Sequence, residues 1–309
     1  MLAQAVRRLA VAIPTLLAIV AATFVLMHLA PGGPFARERQ MPPEIERRLV
    51  AEYKLDLPVH EQLGHYIAGL ARGDLGPSMT YKDKDVADII AEGAPTSLIL
   101  GFSAMVFALL IGGFLGVLAA LRQNQAQDYI VMAIAIAGVC LPPLVVGPLL
   151  QLYLGVEWQI FPTQGLHRDE FGIRYLVLPI LTLALPLTAI VSRLMRASMI
   201  ETMRSNAIRT ARAKGLPEVQ VIVKHALPIA ALPIVSYAGP ALAAVMAGSF
   251  VVESVFGLPG IGKQFVLAAQ QRDYTMVMGV VLVYSVLIIV LNLAADLFYR
   301  VLDPRTRTA

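Results

Sequence analysis

The sequence predicts an all-α integral membrane protein with six transmembrane helices. Of its 309 residues, 57% are hydrophobic and 15% are charged, and the mean hydropathy is +0.69. A soluble domain carries roughly 25% charged residues, so much of this surface faces something other than water. Six windows supply the ~20 apolar residues that a helix needs to cross a bilayer. They are 9–29, 97–121, 129–154, 176–194, 229–255 and 277–299.

The first window has one feature of a secretory signal peptide, because Arg7 and Arg8 precede it. Its apolar run is longer than the ~7–15 residues of a signal peptide, and no A-x-A cleavage site follows. We therefore expect residues 1–30 to form a retained anchor helix. Residues 31–95 then form a separate segment, residues 96–300 a core of five spanning helices, and residues 301–309 a tail.

Lys and Arg in the short loops predict the orientation. They concentrate before the first window, between the second and third, between the fourth and fifth, and after the last. These four regions share one side if there are six spans, so both termini are expected in the cytoplasm and the 31–95 segment outside. Positive charges dispersed along an apolar chain do not favour nucleic-acid binding.

The 31–95 segment predicts two amphipathic helices, one from Pro43 and one from about Pro58, with Gly73 as the stop of the second. Such helices lie on a membrane surface, on a partner, or on the ends of the protein's own spanning helices. The apolar face of the second helix consists of Val59, Leu63, Ile67 and Leu70.

Glycine and proline are frequent inside the windows. Gly112 and Gly116 have the small-xxx-small spacing that lets membrane helices approach closely. Irregular backbone at membrane depth is tolerated where it is buried or lines a wet cavity, so the prolines favour a transport pathway over a simple anchor. They are Pro142, Pro143, Pro148, Pro179, Pro186, Pro233 and Pro240.

Signatures of catalysis are missing from the sequence. It has no H-E-x-x-H or G-x-S-x-G motif, and its five histidines show no metal-ligand spacing on a shared helix face. GLPGIGKQ at 257–264 approaches a phosphate-binding loop, but Gln264 replaces the hydroxyl residue that would hold magnesium. We interpret it as a tight turn and a short re-entrant helix at the outer mouth.

Ionisable residues inside the windows are few, which argues against an ion or proton relay. Glu253 lies near the outer end of the fifth window. Asp296 lies one helical turn before Arg300, a spacing typical of an ion pair at the interface.

The stretch IRTARAKGLPEVQVIVKHALP, at 208–228, is a basic insertion between two apolar windows. It predicts a helix over 199–214 that stops at Gly215 and a second short helix from Pro217 to about Ala226. The kink between them would expose a compact knob that fits a cleft on a soluble partner. A merely solvated basic loop does not require the Gly-Leu-Pro sequence.

This stretch resembles the cytoplasmic coupling loop of permease subunits in ATP-binding-cassette importers, whose pattern is E-A-A-x-x-x-G-x9-I-x-L-P. Ala211, Gly215, Leu227 and Pro228 fall in register. RTARAKGL at 209–216 looks like the form of the dipeptide and oligopeptide branch. The departures from the general pattern are Arg209, Thr210 and His225.

Further matches to that branch run along nearly the whole chain. They include LAPGGPF at 29, GDLGPS at 73, RASMIE at 196, VVESVFGLPGIG at 251, RDY at 272 and LDPR at 302. APGGPF, YKDKDV and SYAGP further resemble the B-type transmembrane subunits of oligopeptide permeases in Gram-negative bacteria.

The resemblance implies a type I importer permease fold in a bacterial inner membrane, with a helical periplasmic segment between the first two helices. It implies a heterodimer with a C-type permease, a periplasmic peptide-binding protein and two ATP-binding subunits. ATP and magnesium would lie on those subunits, with no cofactor or metal on this chain, and its neighbours would be lipid and peptide substrate.

Two sets of site residues are predicted, the first from the resemblance and the second from the glycine and proline turn at the outer mouth. Within a coupling loop at 199–228, the residues expected to meet the ATPase are Arg209, Thr210, Ala211, Arg212, Ala213, Lys214, Gly215 and Leu216. Those expected to form a periplasmic gate and meet the binding protein are Gly257, Leu258, Pro259, Gly260, Ile261 and Gly262.

Three alternatives remain open at this point. The same class of importer also carries dipeptides, nickel chelates, heme or peptide antibiotics. An ion-coupled secondary transporter predicts an internal repeat and buried carboxylates, and neither is evident in the sequence. An intramembrane enzyme needs paired catalytic groups at membrane depth, which are not evident either.

Overall fold

A computed structural model of the protein describes residues 2–29, 44, 47, 50–51, 53–81, 83–164 and 173–302, with the side chains of 2–9, 247 and 296–302 outside that description. Regular secondary structure in this part of the chain is helical, apart from an isolated antiparallel bridge between Pro77 and Asp85. The helices are α1 (Leu2–Leu29), α2 (Val59–Leu70), α3 (Val86–Phe107), α4 (Gly113–Leu121), α5 (Ala126–Cys140), α6 (Pro143–Leu150), α7 (Arg174–Met203), α8 (Asn206–Ala213), α9 (Glu218–Gln220), α10 (Leu227–Ala230), α11 (Leu232–Val255), α12 (Ile261–Gln271) and α13 (Tyr274–Leu302).

Three π-helical turns extend or join these helices. Ala108–Gly112 joins α3 to α4, Gln151–Glu157 extends α6, and Val221–Ala226 joins α9 to α10. Of the predicted amphipathic helix at Pro43, residues 44, 47, 50 and 51 are described, and they are helical. The ion pair of Asp296 with Arg300 and the tail after residue 302 lie outside the described residues or side chains.

The predicted all-α membrane architecture is confirmed. Within the described residues, four helices are long and apolar enough to cross a membrane, and the number rises to six if each of two bent helix pairs is one span. The four are Ala10–Leu29, Val86–Leu121, Arg174–Met203 and Tyr274–Ala295.

The window at 129–154 is broken at Pro142 and Pro143, two of the prolines predicted from the sequence to be irregular positions within the windows. α5 ends at Cys140, and α6 starts at Pro143 with its axis bent by 104°. Leu141 is extended, with φ −87 and ψ 114, because a residue that precedes proline avoids the helical region. The adjacent Pro142 and Pro143 lack the N–H groups that would continue the helical hydrogen bonds.

The window at 97–121 began too late, since α3 starts at Val86. The first turns of α3 are amphipathic: Val86, Ile89 and Ile90 are buried, while Asp88 is exposed. A search for uniformly apolar stretches passes over such turns.

The chain divides into two compact units, and the first combines Met1–Thr96 with Pro259–Ile289. In this unit Val20 and Phe24 of α1 pack with Met278 of α13, and Leu63 and Leu70 of α2 pack against them. The apolar face of α2 therefore meets spanning helices of its own chain, one of the three placements open from the sequence.

The segment that precedes α3 in the first unit is fastened at Asp273, which is 1% exposed. Its carboxylate accepts hydrogen bonds from the Ser78 hydroxyl at 2.5 Å and the Thr80 N–H at 3.1 Å. It also accepts bonds from the Thr275 hydroxyl and the Met276 N–H, both at 3.0 Å. One buried carboxylate thus caps α13 and holds the 78–80 segment.

The second unit combines Ser97–Leu258 with Val290–Ala309, and α7 runs through its core. The glycine pair predicted as a helix contact lies against α7. A Cβ at Gly112 would be 2.7 Å from the Thr188 carbonyl oxygen, and one at Gly116 would be 2.5 Å from that of Ser192. Only glycine permits this approach of backbones.

Candidate functional site

The basic stretch between the fourth and fifth windows forms a folded knob, defined as residues 205–227. α7 ends at Met203, Ser205 is extended with φ −71 and ψ 158, and α8 begins at Asn206. The expected single helix over 199–214 was therefore wrong. Short polar side chains such as those of Ser205 and Asn206 favour helix starts over helix interiors.

Gly215 ends α8 as predicted. It adopts the left-handed φ of +75, and its N–H donates to the Arg212 carbonyl at 2.9 Å. Pro217, extended at φ −62 and ψ 143, then opens the second short helical segment. Glycine reaches this left-handed conformation at no steric cost, which explains its place at the turn.

One face of α8 anchors the knob. Ile208 is fully buried and Ala211 is 6% exposed, and they pack with Val221, Ala226 and Met199 of α7. The other predicted coupling residues are exposed, except for half-buried Leu216, and they are Arg209, Thr210, Arg212, Ala213, Lys214 and Gly215. The knob is thus a cationic surface on a packed base, with Ala211 in the base.

An ion pair crosses the Gly215 turn. Arg212 donates to both carboxylate oxygens of Glu218, at 3.1 and 2.5 Å. This hydrogen bonding raises the pKa of the Arg212 guanidinium. Since both side chains are exposed, the pair contributes little to stability and serves to orient α8 relative to α9.

Sequence reasoning missed Asp128. This residue is 2% exposed, and its carboxylate accepts two hydrogen bonds from Arg196 of α7, at 2.5 and 2.6 Å. Asp128 was not predicted from the sequence because it directly precedes the window at 129–154. The available signal was a carboxylate one residue before the window at 129–154 and an arginine two residues after the window at 176–194.

The second predicted set, 257–262, forms a turn followed by a short helix, as predicted. α11 ends at Val255, and Gly257 is left-handed with φ +66. Gly260, with φ −105 and ψ 170, precedes α12. In this set Pro259 is exposed and Gly257 is half-buried, whereas Leu258, Gly260, Ile261 and Gly262 are buried.

The two predicted sets belong to different parts of the chain. Residues 209–216, together with Gly257 and Leu258, lie in the second unit, and residues 259–262 lie in the first.

Glu253, two residues before the end of α11, is fully buried. Its Oε1 accepts hydrogen bonds from Ser97 at 2.7 Å and from Ser249 at 2.8 Å. The expectation that buried carboxylates are missing was therefore wrong for Glu253 and Asp128. Both are held by hydroxyl or guanidinium donors, as buried charges in stable structures are.

No group of three His, Cys, Asp or Glu side chains in the described part of the chain is placed to hold a metal ion. The left-handed Gly257 turn follows a long apolar helix, not the strand that precedes a phosphate-binding loop. Long apolar helices, two bent helix pairs and an exposed cationic knob are together typical of the class of helical membrane permeases.

Comparison with known proteins agrees with this class. Residues 112–308 match the family described as the inner membrane component of binding-protein-dependent transport systems. The chain is 42% identical over 301 residues to the oligopeptide transport system permease protein OppB of Haemophilus influenzae, covering 97% of this chain and 98% of that protein. It is 43% identical over 307 residues to OppB of Salmonella typhimurium, covering 99% and 100%.

A dipeptide transport system permease protein, DppB of Bacillus subtilis, is 40% identical over 297 residues, covering 95% of this chain and 94% of that protein. Among solved structures, the inward-facing MetNI methionine ABC transporter has a TM-score of 0.58 at 20% identity, covering 70% of this chain and 96% of that one. An amino acid ABC transporter crystallised with histidines has a TM-score of 0.53 at 19% identity, covering 69% and 94%.

The chain belongs to the family of binding-protein-dependent transport system inner membrane components. It is a multi-pass permease subunit of an ABC transporter and not the ATP-hydrolysing subunit. The resemblance to the dipeptide and oligopeptide permeases is confirmed.

Proposed function

We propose that the chain forms half of the membrane path of an ATP-driven importer of oligopeptides. The observation that carries the proposal is the knob at 205–227, a cationic helix and turn on a fully packed base. A surface of this kind suits rigid docking, because little conformational entropy is left to lose on binding. The cargo is inferred from relatives that are named for oligopeptide transport and match the chain end to end.

The partners that complete the machine are a C-type permease, two ATP-binding subunits and a periplasmic peptide-binding protein. The knob meets an ATP-binding subunit through Arg209, Thr210, Arg212 and Lys214. Exposed cations favour an acidic cleft on that subunit. ATP and magnesium bind there, and this chain contributes the transmitting surface.

Both termini and the knob face the cytoplasm in this proposal, while α2 and the turn at 257–262 face the periplasm. The turn is the part of the gate nearest the binding protein, and exposed Pro259 is its point of contact. Buried Leu258 and Ile261 hold the turn in place. Lys and Arg in the loops support this orientation.

The test of the cargo is growth of a strain that lacks this chain on defined peptides as the sole source of a required amino acid. Oligopeptides of three to five residues, the corresponding dipeptides and a free amino acid control separate the cargo classes. Restoration of growth on the oligopeptides by the intact chain is expected. Restoration on the dipeptides alone assigns the cargo to the dipeptide branch, and restoration on neither contradicts peptide import.

A further inference from the structure

The turn between α4 and α5 is fastened to the last third of α7 by an ion pair and a hydrogen bond. Asp128, near the start of α5, receives the bidentate pair from Arg196. The same carboxylate accepts the N–H of Asn124 at 2.9 Å, and Asn124 is left-handed with φ +62. The Asp128 side chain is 2% exposed and the Arg196 side chain 26% exposed, so the carboxylate is buried while the guanidinium keeps a solvent-accessible side.

A second bond lies further along α7. Arg204, the residue directly after α7, donates to the side-chain oxygen of Gln123 at 3.3 Å. Positions 196 and 204 are about 12 Å apart along a helix. Gln123 lies in the turn that precedes α5, so the two bonds tie this turn and the start of α5 to two points along α7.

The helices on both sides of the turn also pack on α7. Gly116 of α4 lies against Ser192 and Met195, and Gly138 of α5 lies against Ala189 and Leu185. The ion pair of Asp128 with Arg196 and the glycine contacts therefore join α4, α5 and the end of α7 into one body within the second unit.

We call the group of Asp128, Arg196, Gln123 and Arg204 the clamp. The clamp joins two elements with different roles. α7 leads through Arg204 and Ser205 directly into the knob. α5 leads to the break at Leu141, where the span bends by 104°. Broken backbone at membrane depth marks a pathway-lining element.

We propose that Asp128 and Arg196 are positioning residues that make α5 follow α7, so that displacement of the knob is passed to the broken element α5–α6. This inference rests on the proposed docking of the knob to an ATP-binding subunit. A bidentate Arg–carboxylate pair suits the role because its geometry is directional.

The rigidity of the joint is tested by distance measurement in the assembled complex, in a variant without Cys140. Spin labels at Ala207 of α8 and Ile134 of α5, both exposed, report the distance between knob and α5. In the intact pair we expect one narrow distribution, unchanged between nucleotide-free and ATP-bound states. Asp128→Asn should broaden or shift it, and the double variant Asp128→Arg, Arg196→Asp should restore it.

The functional measurement is the ratio of peptide molecules taken up to ATP molecules hydrolysed in proteoliposomes. Coupling between distant sites typically corresponds to ~5–150-fold, so Asp128→Asn should lower the ratio about tenfold while the ATP-binding subunits still co-purify. The double variant should recover it. Lys84→Gln, which removes an exposed ion pair to Glu92, is the matched control and should leave the ratio unchanged.

An Asp128→Asn complex with the wild-type distance distribution overturns the proposal. So does a parallel loss of co-purification and uptake, because that result describes a merely stabilising pair. Should Asp128→Asn fail to assemble, Gln123→Ala removes the exposed bond to Arg204, and an unbroadened distribution in that variant also overturns it. Failure of the proposed function is distinguishable, since it leaves the distances intact while the wild-type complex takes up no peptide.

Discussion

Gly116→Ala measures how closely α4 approaches α7. A Cβ at this position would lie 2.5 Å from the Ser192 carbonyl oxygen and 2.6 Å from the Met195 Cβ. Both neighbours are fixed by the backbone of α7, so neither can rotate away. Overpacking of this kind costs about 1–3 kcal/mol, and the higher helix propensity of Ala over Gly returns about 1 kcal/mol.

Gly248→Ala is the matched control, since no atom lies within 4 Å of a Cβ built at Gly248 of α11. This variant gains the same propensity without the overlap. The propensity contribution therefore cancels between the variants, and Gly116→Ala should be less stable than Gly248→Ala by about 1–3 kcal/mol.

The assay is SDS-induced unfolding of the purified chain in mixed micelles, followed by circular dichroism. Equal unfolding free energies for the two variants would refute the close approach of α4 and α7. A more stable Gly116→Ala would refute it more strongly, because it would mean that the position has open space.

Three further outcomes are expected. Asp273→Ala leaves the buried Ser78 hydroxyl and Met276 N–H without their acceptor, whereas the Thr275 hydroxyl keeps the Pro77 carbonyl and the Thr80 N–H keeps the Ser78 oxygen. It should lower the free energy of unfolding by about 3 kcal/mol, since each stranded buried donor costs ~1–3 kcal/mol; an unchanged SDS midpoint would show that the cap is dispensable. In a cysteine-free background, a membrane-impermeant thiol reagent should label a cysteine at Glu61 from the periplasm and spare one at Arg212, and the reverse pattern contradicts the orientation. Gly260→Trp puts bulk at a buried position of the outer turn and should impair stimulation of ATP hydrolysis by loaded binding protein without disassembly; normal stimulation reduces the turn to a structural role.

Local sequence rules predicted the features that depend on neighbouring residues. The left-handed stop at Gly215 followed by Pro217 is a property of those residues themselves. The helix contact made by Gly112 and Gly116 could be predicted because small residues at this spacing let membrane helices approach closely.

Features that depend on distant residues were missed or misplaced. The clamp joins Asp128 to Arg196 across 68 positions, and nothing in the sequence near Asp128 identifies its partner. The break before Asn206 was overlooked because Ile208 and Ala211 continue a helical pattern, whereas their burial depends on packing with Val221 and Ala226. Such choices are set by tertiary contacts that outweigh local propensity.

The central claim, that the knob couples ATP hydrolysis to transport, is tested most directly at Gly215. Proline cannot adopt φ +75, whereas asparagine is among the residues that tolerate this region, and a Cβ here meets no atom within 4 Å. In proteoliposomes with equal amounts of inserted chain, we predict that Gly215→Asn retains peptide uptake driven by ATP and that Gly215→Pro loses it. Equal uptake by the two variants would contradict the account.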